Sequence, residues 1–166
     1  MNVAVQVEPN ADVPPSVEYR WDADTDILIA RLDGDGAHGG MSGSVELEGN
    51  DGSWLILDVA SGRIRAVEVA VWPAMHKRAS LAPPSPVEDA RVVIPSRVSQ
   101  PGIASLEVDT SLTAESDDGE ATIHFWLGSR RGVRTVRIAR DLLLDVDPQS
   151  RIAGLWMLNV PPFPST

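Results

Sequence analysis

Apolar and polar positions alternate with a period of two along most of this chain. "YRWDADTDILIARL" (19–32) has a polar, turn-forming centre between two apolar ends. "VELEGNDGSWLILDV" (45–59) repeats that form around Gly49-Asn50-Asp51-Gly52, and "LDVASGRIRAVEV" (57–69) repeats it around Ala60-Ser61-Gly62. Runs rich in β-branched and aromatic residues, bounded by Gly, Asp, Asn and Ser, predict hairpin-linked strands. Strands are expected near 3–8, 16–21, 26–32, 44–48, 53–58 and 63–72. No stretch long enough for a stable helix carries a helical apolar period. "PAMHKRASLA" (73–82) is expected to form at most a turn or two of helix before Pro83-Pro84 stops it.

The second half replays the first. "LTAESDDGEATIHFWL" (112–127) lies without gaps on "VEYRWDADTDILIARL" (17–32). "LILDVASGRIRAVEVAVWP" (55–73) has its counterpart in "LLLDVDPQSRIAGLWMLNVPP" (142–162). In each, an apolar run ends in Asp-Val, a polar turn leads to Arg-Ile, and a second apolar run ends in proline. The second turn is one residue longer: Asp145 to Arg151 against Asp58 to Arg63. "SLEVDT" (105–110) is matched with "AVQVEP" (4–9). The expected fold is therefore all-β. It has two similar antiparallel β-meander units, an internal duplication, in pseudo-twofold arrangement, packed face to face or paired edge to edge so that apolar faces and open edges are covered. The units span 1–75 and 103–166. A proline-rich connector, 76–102, joins them. Its "ARVVIP" (90–95) is expected to be at best an edge strand, because proline removes a ladder donor.

The first unit resembles a bacterial family, the domain of unknown function 2283. Its pattern is a "YD…D.LYI.L" hairpin, a polar stretch, and an "I.LD..G.I.GIEI" hairpin. The matching residues are Tyr19, Asp22, Asp26, Leu28 and Ile29, then Leu57, Asp58, Gly62, Arg63, Ile64, Val67, Glu68 and Val69. The resemblance covers about residues 17–72. Trp21, the long glycine-rich loop and Ala66 depart from the pattern. In the second unit Gly154 restores the glycine that Ala66 replaces, and Trp156 stands where the first unit has Glu68. The resemblance implies a small β-rich fold and a bacterial accessory protein; it implies no activity.

Charge narrows the partners. The chain has 166 residues, no cysteine and a net charge of −10. Residues 1–75 hold 13 acidic and 4 basic side chains. A phosphate-backbone binder needs a basic surface, so nucleic acid is not expected. The acidic balance favours solubility, or a basic protein partner. Without cysteine there are no disulfides or thiolate metal sites. No leader-like N-terminus and no apolar run of membrane length is present, so the expectation is a soluble cytoplasmic protein that does not engage membranes.

Few residues invite chemistry. Asp22, Asp24 and Asp26 suggest a calcium loop, but Ile27 stands where that loop needs glycine, so a solvated turn is the better reading. Gly34 to Gly43, "GDGAHGGMSG", lacks the lysine and the helix of a phosphate loop. His38, His76 and His124 are scattered. Alternation puts His124 with Trp126 on one strand face, half-exposed, and Ile123, Phe125 and Leu127 on the other. Glu68 shares a face with Ile64, Ala66, Ala70 and Trp72; a carboxylate there is costly unless paired, so it marks a site or a rim ion pair. Arg130, Arg131, Arg134, Arg137 and Arg140 form a basic cluster, fitted to an acidic partner or to the acidic first unit. Trp21, Trp54, Trp72, Trp126 and Trp156 all fall on expected strands, as core, interface or binding face.

Together these expectations describe a non-enzymatic protein-interaction or accessory module that binds a protein partner or itself. The alternative is a small-ligand-binding module with a Trp-lined cleft between the two units. The candidate binding residues are Glu68, Trp72, Trp156, Arg134 and Arg137. No catalytic residue, metal ligand or cofactor is assigned.

Overall fold

The computed structural model describes residues 3–10, 12–33, 42–85, 87–95 and 103–164. Most of the glycine-rich loop, residues 34–41 with His38, lies outside the described residues. The first strands are β1 (Gln6–Pro9), β2 (Val17–Asp22), β3 (Ile27–Leu32), β4 (Ser42–Gly49), β5 (Trp54–Ala60) and β6 (Arg63–Val71). Then come β7 (Met75–Lys77) and β8 (Glu88–Val93). The last are β9 (Ile103–Thr110), β10 (Leu112–Ser116), β11 (Ile123–Leu127), β12 (Arg134–Ala139), β13 (Leu142–Val146) and β14 (Ile152–Met157). The protein is all-β, with no helix among the described residues.

The short helix expected within 73–82 is replaced by β7. Met75, His76 and Lys77 pair in parallel with Ala114, Glu115 and Ser116. One helical turn leaves most of its backbone groups unpaired, whereas the open edge of β10 supplies partners for them.

Two sheets form. One has six strands in the order β2-β3-β6-β5-β4-β9, the other eight in the order β1-β8-β12-β13-β14-β11-β10-β7. The runs β2-β3-β6-β5-β4 and β10-β11-β14-β13-β12 share one neighbour order, with every pair antiparallel. Each gains a parallel strand at the same end: β9 on β4, and β8 on β12. β9 thus joins the sheet of the first half, while β1 joins the other sheet through β8. Contrary to the edge-strand expectation, β8 lies between β1 and β12. No proline lies within Glu88–Val93, so its ladder donors are intact.

Each sheet bulges at the repeated Asp-Val step, besides further register shifts at Trp54/Leu55 and at Arg137/Ala139. Asp58 pairs with Ala66 and Val59 with Ile64, which leaves Arg65 as the extra residue. Asp145 pairs with Gly154 and Val146 with Ile152, which leaves Ala153. A bulge shifts the face of everything beyond it. Ile64 therefore joins buried Val67 and Val69, while Ala66, Glu68 and Ala70 face outward. Strict alternation wrongly groups Ile64 with Glu68. The turns also differ for a local reason. Ser61 and Gly62 have φ of 50° and 82°, the paired left-handed geometry of a two-residue hairpin. The longer second turn is held by Asp147, whose Oδ1 accepts from the N–H groups of Gln149 and Arg151 at 3.0 and 2.9 Å. Burial pushes the Asp147 carboxyl up, but the Arg151 N–H and the Arg131 guanidinium outweigh that and hold it below the usual carboxylate range.

The inner faces meet in one apolar core. Leu28, Leu55, Leu57 and Val67 from one sheet join Phe125, Leu144, Leu155 and Met157 from the other. Burying such a side chain contributes roughly 1.5–3 kcal/mol. Tyr19 and Trp21 tie the seam: their ring donors reach the carbonyls of Asp141 and Pro161 at 2.9 and 2.8 Å. Burial, with the Asp141 charge adding to it, pushes the Tyr19 phenol above its usual range.

The connector has a defined path. β7 and β8 lie at opposite sides of the eight-stranded sheet, with five strands between them. Six strand-to-strand steps come to about 29 Å, and the eleven peptide steps from Lys77 to Glu88 reach roughly 36–40 Å. A segment of that length spans the sheet only when nearly straight. The inner face is filled by the other sheet, so the route lies over the outer face. At its start Arg78 continues the β7–β10 pairing, its N–H donating to the Ser116 carbonyl at 2.8 Å and its guanidinium reaching Glu115 at 3.0 Å. Leu143, Ala153 and Trp156 are buried there without belonging to the core between the sheets.

Candidate functional site

Beneath this strap lies a buried polar network. One row across the outer face reads Glu115, His124, Trp156, Leu143, Arg137. The next reads Trp126, Gly154, Asp145, Thr135. Asp145 is 1% exposed and His124 3%. The Asp145 carboxylate meets His124 Nε2 at 2.6 Å and accepts from Thr135 Oγ1 at 2.6 Å and Trp156 Nε1 at 3.2 Å. A carboxylate only accepts, so the geometry calls for the proton on Nε2. The Trp156 ring stacks on His124 at 3.8 Å and 11°. Beside them, Glu115 pairs with Arg130 and Arg78, and the Arg130 guanidinium lies 5.4 Å above the Trp126 ring. The expected half-exposed histidine is thus a buried one, because the strap covers its face.

Gly154 makes room for the pair. A Cβ there would lie 2.5 Å from Asp145 Oδ2, 2.7 Å from the Phe125 carbonyl and 3.2 Å from His124 Nε2. Gly154→Ala is expected to cost about 1–3 kcal/mol, the usual penalty for overpacking, read as a lowered urea midpoint. An unchanged midpoint would show that the carboxylate is free to move aside. The equivalent residue in the other sheet, Ala66, faces an exposed Asp58, which can swing into solvent.

A histidine–carboxylate pair can serve a nucleophile; here His124 and Asp145 line neither the groove beside Trp21 and Trp72 nor the cleft beside Arg20 and Arg31. Among the described residues, no group of three or more His, Asp or Glu side chains could hold a metal ion. Within the network the Asp145 carboxylate is the shared acceptor for three buried side chains.

The equivalent face of the six-stranded sheet has quite different chemistry. Its matching row reads Arg20, Ile29, Glu68, Ile56, Glu46, Glu107. Ile29, Ile56 and Glu68 are half-buried. On parallel β4 and β9, Glu46 sits beside Glu107 and Glu48 beside Asp109. Like charges side by side on neighbouring strands are destabilising.

A third feature is a groove of about 490 Å³ at the seam, lined by Trp21, Trp72, Met75, Ile123 and Phe163 with Asp26 and Glu120. The two indoles stack at 5.6 Å and 21°.

The residues singled out from sequence do not converge. Trp72 lines the seam groove. Glu68 is central on the acidic sheet face. Trp156 is buried under the strap, Arg137 pairs with Asp89 at 3.3 Å, and Arg134 is exposed on β12. Other members of the arginine cluster serve their own half, not the acidic first half: Arg130 pairs with Glu115 and Arg131 with Asp147. Asp145, Thr135 and Glu115 were missed. The one available signal was a lone Asp inside the apolar run "LLLDV", facing a glycine. Among known proteins, no family model matches the chain and no curated protein matches it.

Proposed function

We propose that the protein is a non-enzymatic interaction module, and that the outer face of its six-stranded sheet receives a basic, extended segment of a protein partner. The observation that carries this is the in-register pairing of Glu48 with Asp109, on a face that also carries Glu107, beside half-buried Ile29 and Ile56. Like charges placed side by side lower stability, and a cationic partner relieves that. The molecule supplies its own precedent, since the matching face of the other sheet is crossed by the strap, with Arg78 set on Glu115. Two further readings belong with this proposal. The shared strand order supports an internal duplication in pseudo-twofold arrangement, and the hairpins β2–β3 and β5–β6 carry the residues of the bacterial family resemblance.

The test separates stability from binding. Glu107→Gln with Asp109→Asn is expected to raise the melting temperature slightly, while weakening capture of a salt-sensitive partner from host lysate. Glu107→Lys with Asp109→Lys is expected to abolish that capture. A partner retained by the lysine variant, or only a metabolite recovered, would sink the proposal.

A further inference from the structure

The seam groove has a composition that selects its ligand. Its aromatic pair is locked in place: Trp72 Nε1 donates to the Asp26 carbonyl at 2.7 Å, and Trp21 Nε1 to the Pro161 carbonyl at 2.8 Å. Both indole donors are consumed, so the rings offer the groove only π surface and carbon. The edge of Phe163 closes against Trp21 at 5.2 Å and 83°. The charged side chains lining the groove are both acidic, Asp26 and Glu120. They come from the tips of the β2–β3 and β10–β11 hairpins, one from each sheet. Both residues hold left-handed backbone, with φ of 61° and 57°. Asp adopts that conformation readily and Glu rarely, so the Glu120 tip is a strained position of the kind that collects at functional sites.

Aromatic rings between two carboxylates repel an anion and leave a neutral polar ligand with few donors. They suit a cation with an apolar shell. We propose that this groove binds a small organic cation, an alkyl- or arylammonium compound. At about 490 Å³ the groove matches small-molecule sites and not a folded segment. The chain already places a cation at the rim: Lys77 Nζ lies 3.4 Å from Glu120, with side chains 55% and 59% exposed. An ion pair this exposed contributes little and is readily exchanged. Lys77 is also the only lysine in the chain. On the other wall, the Asp26 carboxylate has no ion-pair partner among the described residues. The site is separate from the acidic sheet face and stands independently of it.

The experiment titrates choline into the full-length protein, following tryptophan fluorescence and the indole N–H signals by NMR. The control ligand is 3,3-dimethylbutan-1-ol, which has the same shape without the charge. Choline is expected to shift the Trp21 and Trp72 signals saturably, and the neutral alcohol to bind about tenfold more weakly, as expected for loss of the cation–π and carboxylate attraction. Asp26→Asn keeps the left-handed backbone and is expected to weaken choline about three- to tenfold. Lys77→Met removes the resident cation and is expected to tighten choline about two- to fivefold. Glu18→Gln, outside the groove, is expected to change nothing. Equal binding of the two ligands overturns the proposal, as does an Asp26→Asn variant that binds choline normally. So does the absence of saturation in both wild type and Lys77→Met. A lysine-rich peptide that binds more tightly than choline overturns it in favour of a protein ligand.

Discussion

Asp145→Ala is expected to remove about 3–5 kcal/mol of stability, because it leaves several buried donors without their acceptor at about 1–3 kcal/mol each. The substitution strands three donors at once: His124 Nε2, Thr135 Oγ1 and Trp156 Nε1. None can turn to solvent, because His124, Thr135 and Trp156 are all buried beneath the strap. The measurement is a urea transition, in which the midpoint should fall with little change in slope. If the alanine variant does not fold, Asp145→Asn keeps one acceptor and serves as the milder probe. A double-mutant cycle with His124→Leu then isolates the pair, and its coupling should exceed the roughly 0.5 kcal/mol scatter of independent sites. A loss below about 1 kcal/mol for Asp145→Ala would mean that water reaches the carboxylate, and that the strap is not a cover.

Trp156→Ala carries the second large effect, also about 3–5 kcal/mol, from the lost ring and the cavity it leaves. The ring has an exposure of 4%, stacks on His124 and donates to Asp145. Trp156→Phe is expected to cost less, roughly 1–3 kcal/mol, because it keeps the stack and removes the donor. Thermal denaturation followed by near-UV circular dichroism reads both. Alanine variants of exposed binding tryptophans typically lose affinity and keep their stability. A Trp156→Ala protein that melts with the wild type would therefore return this residue to the candidate binding surface.

These two positions show where sequence reading stops. The alternation in "TIHFWL" places Phe125 and Leu127 inward and His124 and Trp126 outward, and the structure agrees. Outward ordinarily means solvated, and that step fails for His124. What covers the outer face is a segment from between β7 and β8, and its route depends on which sheet edges those strands join. Nothing local in "HKRASLAPPSPV" encodes that pairing. Glu68 illustrates the opposite case. Its strand and its outward face were legible, yet its neighbours Ile29 and Ile56 come from β3 and β5, and Ile64 leaves its face through a bulge at Arg65. Trp72 was legible as an aromatic at the end of a strand. That it stacks on Trp21 required the six-stranded sheet to form first.

The amino-acid order by itself determined the strands, most of their turns and the repeated Asp-Val step. Those features depend on backbone preferences and side-chain alternation over a few residues, and such preferences act wherever the segment goes. Tertiary structure alone decided that β9 and β1 each join the sheet of the other half, that one outer face is covered and the other left acidic, and that two hairpin tips meet across an aromatic groove. Those outcomes depend on contacts between residues far apart in the chain. They are set by which open edge and which apolar face remain to be satisfied once the local strands exist.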